Sequence, residues 1–392
     1  MADPLQQFFS PCPRGLEEVL AVELEAAGGS DVRTVSGGAH FTGDWAACYR
    51  VNLTSGVATR VLWRVAQGRY QGEPDLYRLA YEQPWPDWFD AGRTLRLYVT
   101  GVQSPLRSLE YITVHLKDAV CARFTDACGT RPSVNREAPE VRIHAFLDAD
   151  TATLYLDTSG EPLFKRGYRR SSTEAPLKEN LAAGILRLTG WEPGTPFLDP
   201  MCGSGTFLVE AAMRALQIAP GSRRRFGFER LSVFNAAAWR RVRAEALSKE
   251  LPVRPLPIYG SDLHHDELAA ARRNLEDAGL GEAVRLKQAD VLRLATPAAS
   301  GVAVTNPPYG VRMGEQRKLA EFYPRLGDAL KQNFSGWDCF LLSADPALPK
   351  QIGLKPARRI PLFNGALECR LLQYRIVAGG MRKPPRDEPE AE

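Results

Sequence analysis

The sequence predicts an α/β protein: a doubly wound sheet domain in the second half, preceded by one or two small α+β modules. Two observations carry this. From about residue 176 short apolar runs alternate with helical stretches, and the first run meets a helix through a glycine loop. Before residue 158 helices and strands are mixed, with no glycine-rich nucleotide loop. A chain of 392 residues has room for two or three domains.

In the first half, Leu16, Val19, Leu20 and Leu24 give residues 15–27 a helical period that Gly28-Gly29 ends. Alternation predicts strands over 32–41, 61–67 and 94–102. Residues 111–124 read as an amphipathic helix, and 141–147 with 153–157 as a strand pair around Asp148-Ala149-Asp150. A Ser-, Gly-, Pro- and Arg-rich stretch, 158–175, reads as a linker. Beyond it a helix is expected over 176–189, with Pro176 in its first turn. Phe197-Leu198-Asp199 is a short buried strand, followed by Gly203-Ser204-Gly205 and a helix over 206–216. Residues 223–256 are an insertion with a helix at 236–249. Strands follow at 257–261, 284–288, 301–305, 339–342 and 371–376. The tail from 379 is expected to be disordered.

Seven scattered cysteines without a C-x-x-C pair, and five histidines, suggest reduced thiols in a cytoplasmic protein and no metal site. No apolar run is long enough for a membrane span, and no secretory signal is visible. The net charge of +4 is only mildly basic. Its arginines come in bursts, Lys165-Arg166 with Arg169-Arg170, Arg223-Arg224-Arg225, Arg240-Arg241 and Arg358-Arg359. Such bursts could meet phosphates, or equally be solvated faces.

Asp199-Pro200-Met201-Cys202-Gly203-Ser204-Gly205-Thr206 joins the first strand to its helix, where small residues admit a ligand close to backbone N–H groups. A NAD or FAD site would want a third glycine where Leu208 stands. Asp262 follows the next strand, where a carboxylate can accept both ribose hydroxyls, with Leu263 beside it. Asp290, with Val291, follows the third and is placed for an adenine amino group. Each aspartate alone is more often a cap or turn residue. Three in register at successive strand ends suit a nucleoside carrying a positive sulfonium.

Asn306-Pro307-Pro308-Tyr309 ends the fourth strand. An exocyclic amine is a poor nucleophile because its lone pair is delocalised into the ring. The Asn306 side-chain oxygen and the Pro307 carbonyl could accept both amino hydrogens and hold that lone pair toward a methyl group. The prolines fix these acceptors, and Tyr309 offers a ring for an unstacked base. The tetrapeptide alone allows guanine N2, adenine N6 or cytosine N4.

With these residues assembled, the sequence resembles the THUMP-containing RNA methyltransferases, most of all the guanine-N2 half of the bacterial 23S ribosomal RNA enzyme. The resemblance spans nearly the whole chain. It is carried by Arg166-Gly167-Tyr168-Arg169, the string from Ala175 to Ala183, Leu198 to Thr206, Tyr259 to Asp262, Asn306 to Gly310, and Phe363 to Cys369. It implies a ferredoxin-like segment over 1–47, a THUMP RNA-binding domain over 48–158, and a Rossmann-like class I methyltransferase domain over 176–378. It further implies S-adenosyl-L-methionine as cofactor, with Pro176, Lys178, Glu179 and Asn180 beside it. Phe363, Asn364 and Gly365 would lie near the target base, although Asn364-Gly365 also suits a plain hairpin turn. Arg166 and Arg169 are expected at the RNA. Two departures stand out. There is no second glycine loop, so one activity is expected, and Asn-Gly-Ala-Leu-Glu-Cys replaces the family's Asn-Gly-Pro-Leu-Asp-Cys.

The implied product is N2-methylguanosine in 23S ribosomal RNA. A transfer-RNA guanine-N2 methyltransferase of the same architecture is the nearest rival. A DNA adenine methyltransferase would need a groove-reading motif that the first half does not show. A non-catalytic RNA-binding or assembly protein would not need Asn306, Asp262, Asp290 and the glycine loop together.

Overall fold

The computed structural model describes residues 4–169, 177–308 and 313–377, which build two seven-stranded sheets. The first sheet begins with β1 (Gln6–Pro11), α1 (Glu17–Ala26), β2 (Ser30–Val35), β3 (Gly38–Gly43), α2 (Trp45–Thr54) and β4 (Leu62–Arg69). It continues with α3 (Glu73–Tyr81), α4 (Trp85–Trp88), β5 (Leu95–Gly101), α5 (Leu109–Cys128), β6 (Val141–Leu147) and β7 (Thr151–Asp157). The strand order is β2-β3-β1-β4-β7-β6-β5, with only β5 and β6 parallel. The two modules expected from sequence therefore share one sheet, because β4 pairs with both β1 and β7. The expected division at residue 47 falls inside α2.

Local chemistry explains most boundaries. Asp44 accepts the Ala47 N–H at 2.7 Å and starts α2, and Ser108 does the same for Tyr111 at the start of α5. Gly129, at φ +69°, closes α5. The single strand expected over 32–41 is instead the hairpin β2–β3. Gly37 takes φ +84° there, a turn conformation open to glycine, between two segments that alternate alike.

The second sheet comprises α6 (Glu179–Leu188), β8 (Phe197–Asp199), α7 (Thr206–Ala215), α8 (Ala236–Lys249), β9 (Ile258–Asp262), α9 (His265–Asp277) and β10 (Arg285–Gln288). Then come β11 (Gly301–Thr305), α10 (Met313–Asn333), β12 (Trp337–Ser343), α11 (Leu348–Gln351), β13 (Arg358–Asn364) and β14 (Leu367–Arg375). The order β10-β9-β8-β11-β12-β14-β13 is parallel from β10 to β12, with β14 antiparallel to both neighbours. The order reverses between β8 and β11, which opens a crevice at their carboxyl ends. Sequence placed the last strand at 371–376. In fact Gly365, at φ +68°, turns the chain so that Asn364 pairs with Leu367, and a hairpin with β13 results.

One apolar core runs from Phe8 and Leu16 in the first half to Phe340 and Leu371 in the second. Backbone and side chains lock the halves together. A Cβ at Gly184 of α6 would lie 2.3 Å from the Leu16 side chain, and one at Gly15 would lie 2.4 Å from the Pro361 carbonyl oxygen. The segment expected as a linker is packed where it is described: Thr158, Ser159, Arg166 and Tyr168 are buried. Residues 170–175 and the expected disordered tail, 379–392, lie outside the described residues. No helix among the described residues is long and apolar enough to cross a membrane.

Candidate active site

The crevice at the switch point is a cavity of about 730 Å³, within the range of small-molecule sites. Asp199 through Ser204, Thr206, Asp262, Leu263, Asp290, Val291, Asn306 and Pro308 line it, as expected from sequence. Register explains the convergence. Asp199 pairs with Gly260 and Gln288 with Asp262, so β8, β9 and β10 deliver their ends to one rim.

The glycine loop is held open by its neighbours. Gly203 and Gly205 take φ +50° and +82°, and a Cβ at Gly205 would press on Ala271 of α9 at 3.1 Å. Glycine thus lets α7 and α9 approach while the loop keeps its turn. Asp262 accepts the Gly203 N–H through Oδ2 at 2.9 Å and the His264 N–H through Oδ1 at 3.0 Å. Asn274 donates to the Ser204 carbonyl at 2.8 Å. Asp290 accepts the Leu292 N–H at 2.9 Å and caps the turn Val291–Arg293. The two outer aspartates therefore serve the fold with one lone pair per bonded oxygen and keep acceptor capacity for a ligand.

Asp199 is the most perturbed acid on this rim. Burial pushes its carboxyl up to about 8, against the opposing pull of the Thr305 hydroxyl and the Met201 N–H. A cationic ligand beside it would favour the carboxylate. Burial, reinforced by Asp199 and Asp262, also raises the Cys202 thiol well above its ordinary value. That environment makes it a poor nucleophile.

At the end of β11, Asn306 turns an acceptor inward. Its Oδ1 is buried and meets no hydrogen-bond donor among the described residues. Pro307 is buried beside it. The Pro308 carbonyl accepts the Tyr323 hydroxyl of α10 at 2.8 Å, which fixes the proline pair from behind. Tyr309 and Pro176 lie outside the described residues.

Several expected residues do other work. Arg166, expected at the RNA, is only 2% exposed. It pairs with Glu210 at 3.2 Å and donates to the Leu163 and Gly56 carbonyls at 2.8 and 2.6 Å. Four of its five N–H donors are engaged and the side chain is enclosed, so a phosphate cannot reach it and the RNA contact is corrected to an internal tie between the halves. Arg169 is mostly enclosed too, bridging Glu179 at 3.3 Å and the Thr206 hydroxyl at 2.6 Å. Of the expected cofactor string, Lys178, Glu179 and Asn180 stand off the cavity wall. Asn180 donates to the Val57 carbonyl at 3.2 Å and the Thr59 hydroxyl at 3.1 Å, in the other half. Gly205 and Pro307 are likewise behind the wall rather than on it.

Phe363 carries the Arg14 guanidinium over its ring at 3.6 Å. Gly365 sits at the turn of the β13–β14 hairpin, where a Cβ would lie 3.6 Å from Lys178 Nζ. Leu177, within the stretch from 176 to 180 expected beside the cofactor, lines the cavity, and Phe207, Glu267, Leu319 and Phe322 line it without having been anticipated. Phe207 follows Thr206 directly and could have been inferred from adjacency. The α10 pair could not, because nothing in the sequence says which face of that helix closes over the crevice.

The comparisons with known proteins agree with this geometry. A model of the RMKL-like methyltransferase domain matches residues 166–373. The chain belongs to that family. A THUMP domain matches residues 70–157 and an RlmL ferredoxin-like domain residues 7–62. The chain is 38% identical to the ribosomal RNA large subunit methyltransferase K/L of Aeromonas hydrophila, over 95% of its own length and 55% of that protein's. It thus spans about half the length of the curated relatives it matches. Among solved structures it is similar to the methyltransferase SMU.472 complexed with SAH, at 31% identity and a TM-score of 0.87 over 97% of this chain and all of that one. It is also similar to a predicted N6-adenine-specific DNA methylase from Listeria monocytogenes, at 29% identity and TM-score 0.86, covering 95% and 97% of the two chains. The family's Rossmann-like domain is the second sheet, and its ferredoxin-like and THUMP parts are built on the first.

Proposed function

We propose that this chain is an S-adenosylmethionine-dependent methyltransferase that forms N2-methylguanosine in large-subunit ribosomal RNA. The observation that carries the reading is Asn306 at the end of β11, which lines a cavity rimmed by three carboxylates and whose Oδ1 is buried without a donor among the described residues. A buried acceptor without a donor is costly, by about 1–3 kcal/mol, unless a ligand supplies one. An exocyclic amine has the donors that this acceptor lacks.

The residues present suit the cofactor. The loop from Gly203 to Gly205 leaves room for a nucleoside against its backbone, Asp262 is positioned for ribose hydroxyls, and Asp290 for the adenine edge. Asp199 supplies negative charge near the cationic end. When bound, S-adenosylmethionine supplies an electrophilic methyl group. Asn306 accepts an amine hydrogen through Oδ1 and orients the nitrogen lone pair, while Pro307, behind the wall, stiffens the backbone that carries it. Pro308, held by Tyr323, keeps that acceptor in place, and Leu319 and Phe322 of α10 exclude water. The nitrogen becomes acidic as its bond to carbon forms, so the proton can leave to solvent without a dedicated base.

Ribosomal RNA is supported by the relative's name, and guanine by the sequence resemblance alone. The RNA-binding part is assigned to the first sheet, with a ferredoxin-like module ending near residue 62 and a THUMP module over 70–157. The free thiols suit the cytoplasm. The test is to incubate the protein with deproteinised large-subunit RNA and methyl-labelled cofactor, then identify labelled nucleosides by mass spectrometry. N2-methylguanosine is expected, and its absence beside labelled N6-methyladenosine would overturn the choice of amine. Asn306→Ala should keep cofactor affinity within about threefold and lower transfer by 10²-fold or more.

A further inference from the structure

We propose that the face of the first sheet turned away from its helices is a stacking platform for unpaired bases of the RNA substrate. The proposal rests on the RNA-methyltransferase reading and names a surface for it.

The register sorts the side chains onto two faces. Phe41, Phe8, Trp63, Leu156, Ile143 and Leu97 form one cross-strand line, all buried. This is the helix side: Trp45 of α2 and Trp88 of α4 set their rings 5.1 and 5.2 Å from Trp63. The alternate positions point the other way, since side chains along a strand switch faces at every residue. There, rings and cations recur from strand to strand. Arg33 pairs with His40, His40 with Phe9, Arg64 with Tyr155, Tyr155 with His144, and His144 with Tyr98.

These rings lie close together, in one stacked and two tilted pairs. His40 and Phe9 are 4.8 Å apart at 40°, and Phe9 lies 6.2 Å from the buried Tyr155 at 42°. His144 and Tyr98 are 4.9 Å apart at 14°, with the Arg96 guanidinium 4.7 Å from the Tyr98 ring. Phe146 is 37% exposed on the same face, and Phe9, His40, Tyr98 and His144 are half-buried.

Charge complementarity selects the occupant. Arg64 and Arg96 share this face, and along β3, β1, β4, β7, β6 and β5 its one carboxylate is Asp157, while the edge strand β2 adds Arg33 and also carries Asp31. The Asp157 carboxylate is buried and held by Arg60 and His144. A surface of rings with uncompensated cations fits the π-faces of unpaired bases and the phosphates between them. Arg64 donates to Gln67 Oε1 and Arg96 to the Arg136 carbonyl, but among the described residues neither has a carboxylate partner, and an apolar protein would bring none. Duplex RNA keeps its base faces inside the helix and offers the rings nothing.

The test uses the full chain and fluorescence anisotropy with a labelled single-stranded oligoribonucleotide and its duplex form. Tyr98→Ala and Phe146→Ala should each weaken single-strand binding about 5- to 150-fold, the range of one lost stack. Tyr98→Phe, which keeps the ring, should restore it. Arg64→Gln and Arg96→Gln should each lower the slope of log affinity against log salt by about 0.7. Circular dichroism and melting check that each variant is folded. Single-strand affinity and salt slope equal to wild type in folded Tyr98→Ala, Phe146→Ala and Arg96→Gln would overturn the proposal. So would losses as large for the duplex probe. Cofactor binding and methyl transfer by the wild-type protein are measured alongside. Wild-type transfer with unaffected variants removes the platform alone, whereas ring-dependent RNA binding without any transfer removes the enzymatic reading alone.

Discussion

Replacing Arg166 by Met should destabilise the protein by about 3–5 kcal/mol, the usual consequence of breaking a buried ion pair from one side. The structure sets that scale. Both partners are buried, with side-chain exposures of 1% and 3%, and the pair meets at 3.2 and 3.3 Å. The substitution leaves Glu210 uncompensated and strips donors from the Leu163 and Gly56 carbonyls. Burial already raises the Glu210 carboxyl above its ordinary 4.5, opposed by Arg166. Without that opposition it rises further, so the folded variant keeps the proton that the unfolded chain releases above about 4.5. Stability should then be retained at acid pH and lost as pH rises through the folded value, making the deficit larger at pH 8 than at pH 5. Urea unfolding followed by tryptophan fluorescence at both pH values measures this. The double variant Arg166→Met/Glu210→Leu should recover all but about 1–2 kcal/mol, because no charge remains buried alone. A deficit under 1 kcal/mol for the single variant, or a double variant no better than the single, would refute the reasoning.

Asp199 gives a second pH signature. Its carboxyl is raised to about 8 by burial, so stability should fall as pH rises from about 4 toward 8, and Asp199→Asn should flatten that part of a melting-temperature profile. Gly205→Ala forces a side chain into φ +82° against Ala271, and calorimetry should show both lower stability, by about 1–3 kcal/mol, and weaker cofactor binding. Tyr323→Phe removes the donor to Pro308, and kcat should fall more than KM changes, as expected when acceptors needed in the transition state lose their support. Gly15→Val places atoms where the Pro361 carbonyl oxygen lies, and limited proteolysis should cut the variant faster than wild type.

The second half was the more legible part of the sequence, for a physical reason. Each strand from β8 to β12 adjoins a helix whose period differs from its own, and α8 begins where Asn235 caps it through the Ala237 and Ala238 N–H groups. In β1 the adjacent rings Phe8 and Phe9 both look apolar, yet one faces the helices and the other the open side, so no alternation announced the strand. The cavity loop and the three aspartates were legible because chain order and strand ends coincide. Arg166 was not. Its partner Glu210 is 44 positions away and sits on a helix that reads as ordinary core. Asn180 was misjudged similarly, because adjacency to the cavity along the chain does not say that its amide turns back to Val57.

Under the proposed RNA methylation, the continuous core would govern how a large nucleic acid is held. Asn180, Arg166, Gly184 and Gly15 cross from one half to the other, and their contacts are buried or within close backbone approach. An interface of that kind leaves no free swivel between the part that grips and the part that reacts. The separation between grip and reaction centre is then a fixed length, like the jaws of a caliper. Under the same reading any compliance would come from the bound chain, and a nucleotide that its surroundings hold at the wrong distance would be excluded by measure as well as by base identity.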